Sequence, residues 1–289
     1  MRHLIALLFA LGAIALPAWE WPVPLREIQA TFGQQVPGGT LRGIEIAGGA
    51  QPVFPVEQGV VVFAHRASGA FPSPFGSYVV VEHEQAFRSI YAHLSSESLP
   101  PVGREVTPAT QIAVAGESGY IGGRALRLYL YDSRNQVFVN PLLLLPDLED
   151  TAAPQIVSVF AEGERGLFSV SGSQVIPAGR YTLSARIIDT LARGRQATAL
   201  APYEIAMFVD GQEQFQMSAD GISYQSGELE IAPAGNGTEI YGEDGLWVLG
   251  EITVQSGSTE VEIVARDFAG NERVVAFDIT GGAPDTEAP

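Results

Sequence analysis

Residues 75–95, FGSYVVVEHEQAFRSIYAHLS, hold two β runs, 77–84 and 88–94, too close together to admit a helix between them. Runs of the same kind lie on both sides: GIEIAGG (43–49) and GVVVFAHR (59–66) before, QIAVAGE (111–117) and LRLYLYD (126–132) after. In the last of these Leu126, Leu128 and Leu130 alternate with Arg127, Tyr129 and Tyr131, the period of a half-buried strand. Gly and Pro separate the runs, and closely spaced strands without crossover helices imply antiparallel pairing. The expected fold class is therefore all-β. The one helical expectation is a short segment from Pro24 to Phe32.

The stretch LLLLPDLEDTAAPQ (142–155) passes from apolar to acidic and small residues and marks a boundary, with 147–154 read as a linker. Beyond it the alternation restarts. In YTLSARIID (181–189), Tyr181, Leu183, Ala185 and Ile187 are expected to face inward, and Thr182, Ser184 and Arg186 outward. The stretch APYEIAMFVDGQ (201–212) ends a strand in Asp-Gly, a turn signal, and 259–279 reads as a hairpin turning within Asp267–Asn271. Strands at this spacing suggest an immunoglobulin-like β-sandwich over 155–280, followed by a disordered tail, 281–289.

Composition narrows the function. The chain has 289 residues, enough for two modest domains, and a formal net charge of −17. That balance argues against nucleic acid and anionic lipid, which require clustered basic residues. With no cysteine, disulfides, thiolate catalysis and cysteine-ligated metals are excluded. At the N-terminus, Arg2 precedes an apolar run from Leu4 to Leu16, then Pro17-Ala18. Such a run is too short to span a bilayer and reads as a signal peptide, 1–18. The expectation is an exported protein of the periplasm or cell envelope, or a secreted one, with no membrane anchor after cleavage. The acidic runs DLED (147–150) and YGEDG (241–245) lack the carboxylate spacing of an EF-hand loop and read as solvated.

Several motifs in order carry a resemblance. LRGIEIAGGAQPVFPVEQGVVVFA (41–64), the middle hairpin with Tyr91-Ala92-His93-Leu94, VGREVTPATQIAVAGESG (102–119), and GGRALRLYLYD with Val139-Asn140-Pro141 together resemble the M23 metallopeptidase family. These are the LytM-like enzymes that cut peptidoglycan cross-bridges. The similar region spans 38–146, after a lead-in at 19–37. The resemblance implies a zinc ion on two His and one Asp, with two further histidines assisting.

This chain departs from that pattern at most of those positions. Where the first motif has His-x-Gly-x-Asp, it has Leu41-Arg42-Gly43-Ile44-Glu45; where the last has His-x-His, it has Ala125-Leu126-Arg127. Leucine cannot ligate, and arginine stays protonated and repels a cation. No catalytic residue, zinc or other cofactor is therefore expected, and His93 stands as a relic of the family site. Arg127 is expected to pair with Glu45 as counter-charge in place of the metal. The expected binding cleft is Arg42, Glu45, Tyr78, Tyr91, His93 and Arg127. As a degenerate family member, the chain would bind a peptidoglycan stem peptide or a cell-wall hydrolase. Two other readings stand beside it: a working zinc endopeptidase using Glu45, His93 and either His83 or His65, and an adhesion or assembly module carried by the C-terminal sandwich.

Overall fold

The computed structural model describes residues 19–37, 39–97, 99–191, 198–225, 228–231, 235–236, 240–242 and 245–282. The signal-peptide reading of 1–18 lies outside them, as does 283–289; Gly281 and Gly282 end the last strand.

The N-terminal half is organised on one sheet whose central strand is Ala125–Asp132. It pairs along one side with Phe87–Leu94, which continues to Ser77–Glu82, Gly59–His65 and Glu105–Val106. Its other side is shared: Ile44–Ala47 takes residues 125–128 and Val137–Val139 takes 130–132. All these pairs are antiparallel. Alternation decides which face is covered. Ile44, Ile46, Val79, Val81, Tyr91, Leu126, Leu128 and Leu130 are wholly buried in one apolar cluster. The intervening residues Glu45, Tyr78, Val80, Ile90, Arg127, Tyr129 and Tyr131 project from the opposite face.

The expected helix at Pro24–Phe32 is corrected to a strand. Glu27–Ala30 pairs with Ile44–Ala47, burying Ile28 and Ala30 and exposing Glu27 and Gln29, a period of two. An open sheet edge supplies backbone partners that the isolated segment lacks, and tertiary pairing overrides local propensity.

The C-terminal half forms two facing sheets. One contains Gly166–Ser169, Gln155–Gly163, Gly179–Ile188 and Trp247–Val254; the other contains Gln174–Pro177, Glu272–Gly282, Gly257–Arg266, Glu204–Val209 and Gln212–Ser218. Tyr181, Leu183, Ala185 and Ile187 meet Ile205, Met207, Val261 and Ile263 in a single core between them. The Asp210-Gly211 turn has positive φ at both residues, 49° and 74°, as a two-residue hairpin of the primed type requires.

The halves also share a sheet, a pairing absent from the sequence reading. Gly221–Gln225 adds to Val137–Val139, and Glu228–Ile231 adds to it in turn. A Cβ on Gly221 would lie 2.8 Å from Val137 Cγ1, so a larger residue there would have to displace the Val137 side chain. Asn140 locks the junction. Buried, it donates from Nδ2 to Ala219 O (2.8 Å) and accepts from Leu142 N–H at Oδ1 (3.1 Å), while its own N–H donates to Asp220 O (2.9 Å). Asn140→Ala leaves a carbonyl and an amide buried without partners. It is expected to cost about 2–3 kcal/mol in chemical denaturation, with greater protease sensitivity around 140 and 220.

Candidate functional site

The positions that would hold the metal lie on the sheet face opposite the main core. Glu45 stands directly across from Arg127 in the strand register. Arg127 Nε donates to Glu45 Oε2 at 2.7 Å, with the two side chains only 11% and 14% exposed. Gly43 brings the strands into register, because any Cβ there would fall 2.2 Å from Leu128 O. Leu41 is buried against Ala30, Ala92 and Tyr129, and Ala125 is buried as well. The place is filled by an apolar side chain, a methyl group and an ion pair.

His93 takes a left-handed backbone (φ 65°), which breaks the alternation at the end of its strand. Nδ1 lies 2.8 Å from Ser118 O, which can only accept, so Nδ1 carries the proton and Nε2 presents a lone pair. Nε2 is buried and has no hydrogen-bond partner among the described residues. Burial, offset by the Ser118 contact and supported by the Arg127 charge, holds the ring below the usual imidazole value.

Two expectations require correction. Tyr91 does not face the cleft. Strand parity turns it into the main core, where its Oη accepts from Val56 N–H at 2.8 Å and lies 2.9 Å from Ser89 Oγ. His83, the alternative ligand, sits on that same buried side with both nitrogens engaged, Nδ1 by Gln58 O at 2.9 Å and Nε2 by Ser89 Oγ at 2.7 Å. Neither can reach Glu45. His65 lies against the Tyr78 ring at 5.4 Å. Among the described residues, no three histidine or carboxylate groups converge around Glu45 closely enough to hold a metal. The residues present do not fit catalytic zinc, which needs three protein ligands and an open position.

Arg42 points away from Glu45. Its Nη1 donates to Tyr224 Oη at 2.9 Å, and its guanidinium lies 5.1 Å from the Phe138 ring centre and 5.4 Å from that of Tyr224. Tyr78 stacks on Phe63 at 5.4 Å and touches Phe75. These rings line a cavity of about 570 Å³ that the sequence reading missed. Alternation could have placed Phe138 and Tyr131 on this face; nothing local could have brought Tyr224 to it.

A second polar cluster lies at the junction. Asp150, Asp189 and Asp267 bring carboxylate oxygens within 4.8 Å of one another, a set able in chemical terms to coordinate a cation. Asp150 belongs to the acidic run read as a solvated linker; its partners come from distant strand ends. Burial foremost, and then the charges of Asp267 and Asp150, push Asp189 up to about 7 despite the Thr190 N–H it accepts. Asp267 is also raised, by burial.

Residues 39–141 match peptidase family M23, and a second family profile, which carries no functional description, matches residues 153–280. An uncharacterized protein of Treponema pallidum (strain Nichols) is 30% identical over 102 residues, 31% of this chain and 68% of that protein. Among solved structures, a zinc containing peptidase from Vibrio cholerae is 26% identical with a TM-score of 0.34, over 39% of this chain and 36% of that one. This chain thus spans little more than a third of that protein. The catalytic domain of lysostaphin from Staphylococcus simulans is 22% identical with a TM-score of 0.31, over 37% of this chain and 78% of that one.

Two outcomes are expected. Arg127→Ala and Glu45→Gln should each destabilise the protein, by about 1–3 kcal/mol, and the double variant by clearly less than their sum in a double-mutant cycle. Strict additivity would make the contact incidental. For Asp189, the folded value of about 7 lies well above the ordinary aspartate value of about 3.9. Native protein then holds a proton that the unfolded chain releases, so this contribution is full below about pH 4 and is lost as pH rises through about 7. Asp189→Asn should flatten stability against pH over that window, by a few kcal/mol in denaturant titrations.

Proposed function

Because the chain belongs to peptidase family M23 through residues 39–141, we propose that it is a catalytically silent member that acts in the cell envelope by binding peptidoglycan or regulating an enzyme that cuts it. One observation carries this reading. At the metal position, Arg127 is bonded to Glu45 at 2.7 Å, beside a buried Leu41. A guanidinium there supplies the positive charge that a dipositive ion would otherwise bring, but it has no open coordination site. It cannot lower the pKa of a bound water or polarise a peptide carbonyl as a Lewis acid does. What remains is a shaped, partly apolar sheet face with fixed donors, which suits holding a ligand.

On this reading 1–18 is an export signal and the mature chain works outside the cytoplasm. The paired C-terminal sheets are an immunoglobulin-like sandwich that presents the M23-like region, with 147–154 as the connection between them. The stem peptide of peptidoglycan, or a hydrolase that acts on it, is the ligand class that the family match supports. The competing zinc-peptidase reading is disfavoured by His83, whose two nitrogens are both bonded in the core.

The test pairs metal content with cell-wall digestion. Purified mature protein should carry substoichiometric zinc and release no peptides from isolated sacculi. Leu41→His, Glu45→Asp, Ala125→His and Arg127→His made together should restore zinc binding, measured by elemental analysis after dialysis. One equivalent of zinc in the wild-type protein, with chelator-sensitive peptide release, would overturn the reading.

A further inference from the structure

The ring-lined cavity is separate from the metal position: Arg42, Phe138 and Tyr224 are among its lining residues, and Glu45, His93, Ala125 and Arg127 are not. Its charge runs against that of the molecule. In a chain of net charge −17, two arginines and no carboxylate line it among the described residues. Arg88 is neutralised by Glu82, to which it donates from Nε at 3.0 Å and Nη2 at 2.8 Å. Arg42 is not: among the described residues it has no carboxylate partner, and its polar contact is the Tyr224 hydroxyl.

The two rings beside Arg42 fix its guanidinium by cation–π contact. A guanidinium has five N–H donors in a planar fork, and the tyrosine hydroxyl takes one. The unused donors form the geometry that a carboxylate matches, with low-dielectric aromatic walls to strengthen the pairing. Beside this anchor, Phe63, Phe75 and Tyr78 offer apolar surface, and about 570 Å³ is the size of a small-ligand site. Large rings are matched by large apolar side chains, which a peptide can offer next to an acidic residue.

We propose that this groove docks an acidic linear peptide of a partner protein, its carboxylate on Arg42 and an adjacent aromatic or large aliphatic side chain among the rings. Tyr224 lies on Gly221–Gln225, the strand that the C-terminal half adds to the sheet, so the groove is assembled from both halves. The inference goes beyond the catalytically silent reading. Its binding assay can fail while the zinc and digestion results stand, and the reverse.

The experiment is isothermal titration calorimetry on the full chain with two probes, N-acetyl-Glu-Phe-Glu-Leu-amide and its Gln-for-Glu analogue. The acidic probe should bind at least tenfold more tightly than the amide, with affinity falling as salt is raised. Arg42→Gln should remove that preference and Tyr224→Ala should weaken binding severalfold, while Arg180→Gln, an exposed arginine on another sheet, should change nothing. The acid–amide comparison is made on unaltered protein and so does not depend on any variant folding. Equal affinity for both probes, no heat from the acidic probe at millimolar concentration, or an unchanged Arg42→Gln would overturn the proposal. So would binding of a disaccharide muropeptide without binding of the acidic probe.

Discussion

A carboxylate set on the face of a sheet beneath packed side chains needs a cation within reach, and Glu45 has Arg127. An unpaired buried charge costs several kcal/mol, and the opposite charge in register on the adjacent strand offsets that cost here. The zinc pattern implied by the family resemblance would draw three ligands, at positions 41, 45 and 127, into one centre. An ion pair between adjacent strands ties only those two. On the neighbouring strand, His93 Nε2 is left without a hydrogen-bond partner among the described residues.

The sheet was readable because its strands alternate cleanly. Leu126, Leu128 and Leu130 go in while Arg127, Tyr129 and Tyr131 go out. Along its own strand alternation groups Tyr91 with His93, two residues on, and the left-handed turn at His93 is what separates them. Arg127 and Glu45 were legible as a pair because a chemical pattern fixed their positions before any geometry was known. Tyr224, Asp189 and Asp267 were not, since each reaches its neighbours through contacts between segments far apart in the chain. Glu27–Ala30 failed for a related reason: whether a short segment coils or extends depends on an edge supplied elsewhere.

The halves are joined by more than a connecting segment. Thr31 Oγ1 donates to Ala201 O at 3.1 Å, and Phe32 packs in the C-terminal core. With Asn140 and the shared sheet, these contacts set Tyr224 over Arg42. The geometry of the groove is therefore a property of the whole chain, while the ion pair belongs to the N-terminal sheet alone.

The strand Gly221–Gln225 also has a protective effect. Without it, Val137–Val139 would end the sheet as a short apolar edge, its backbone N–H and C=O groups open to any extended chain that passed. A fragment cut near residue 150 would carry that bare edge into solution, where edge-to-edge association and aggregation follow. The C-terminal hairpin thus caps the sheet against self-assembly, and any shortened form of this protein needs a substitute for it, such as a charged or proline-bearing edge.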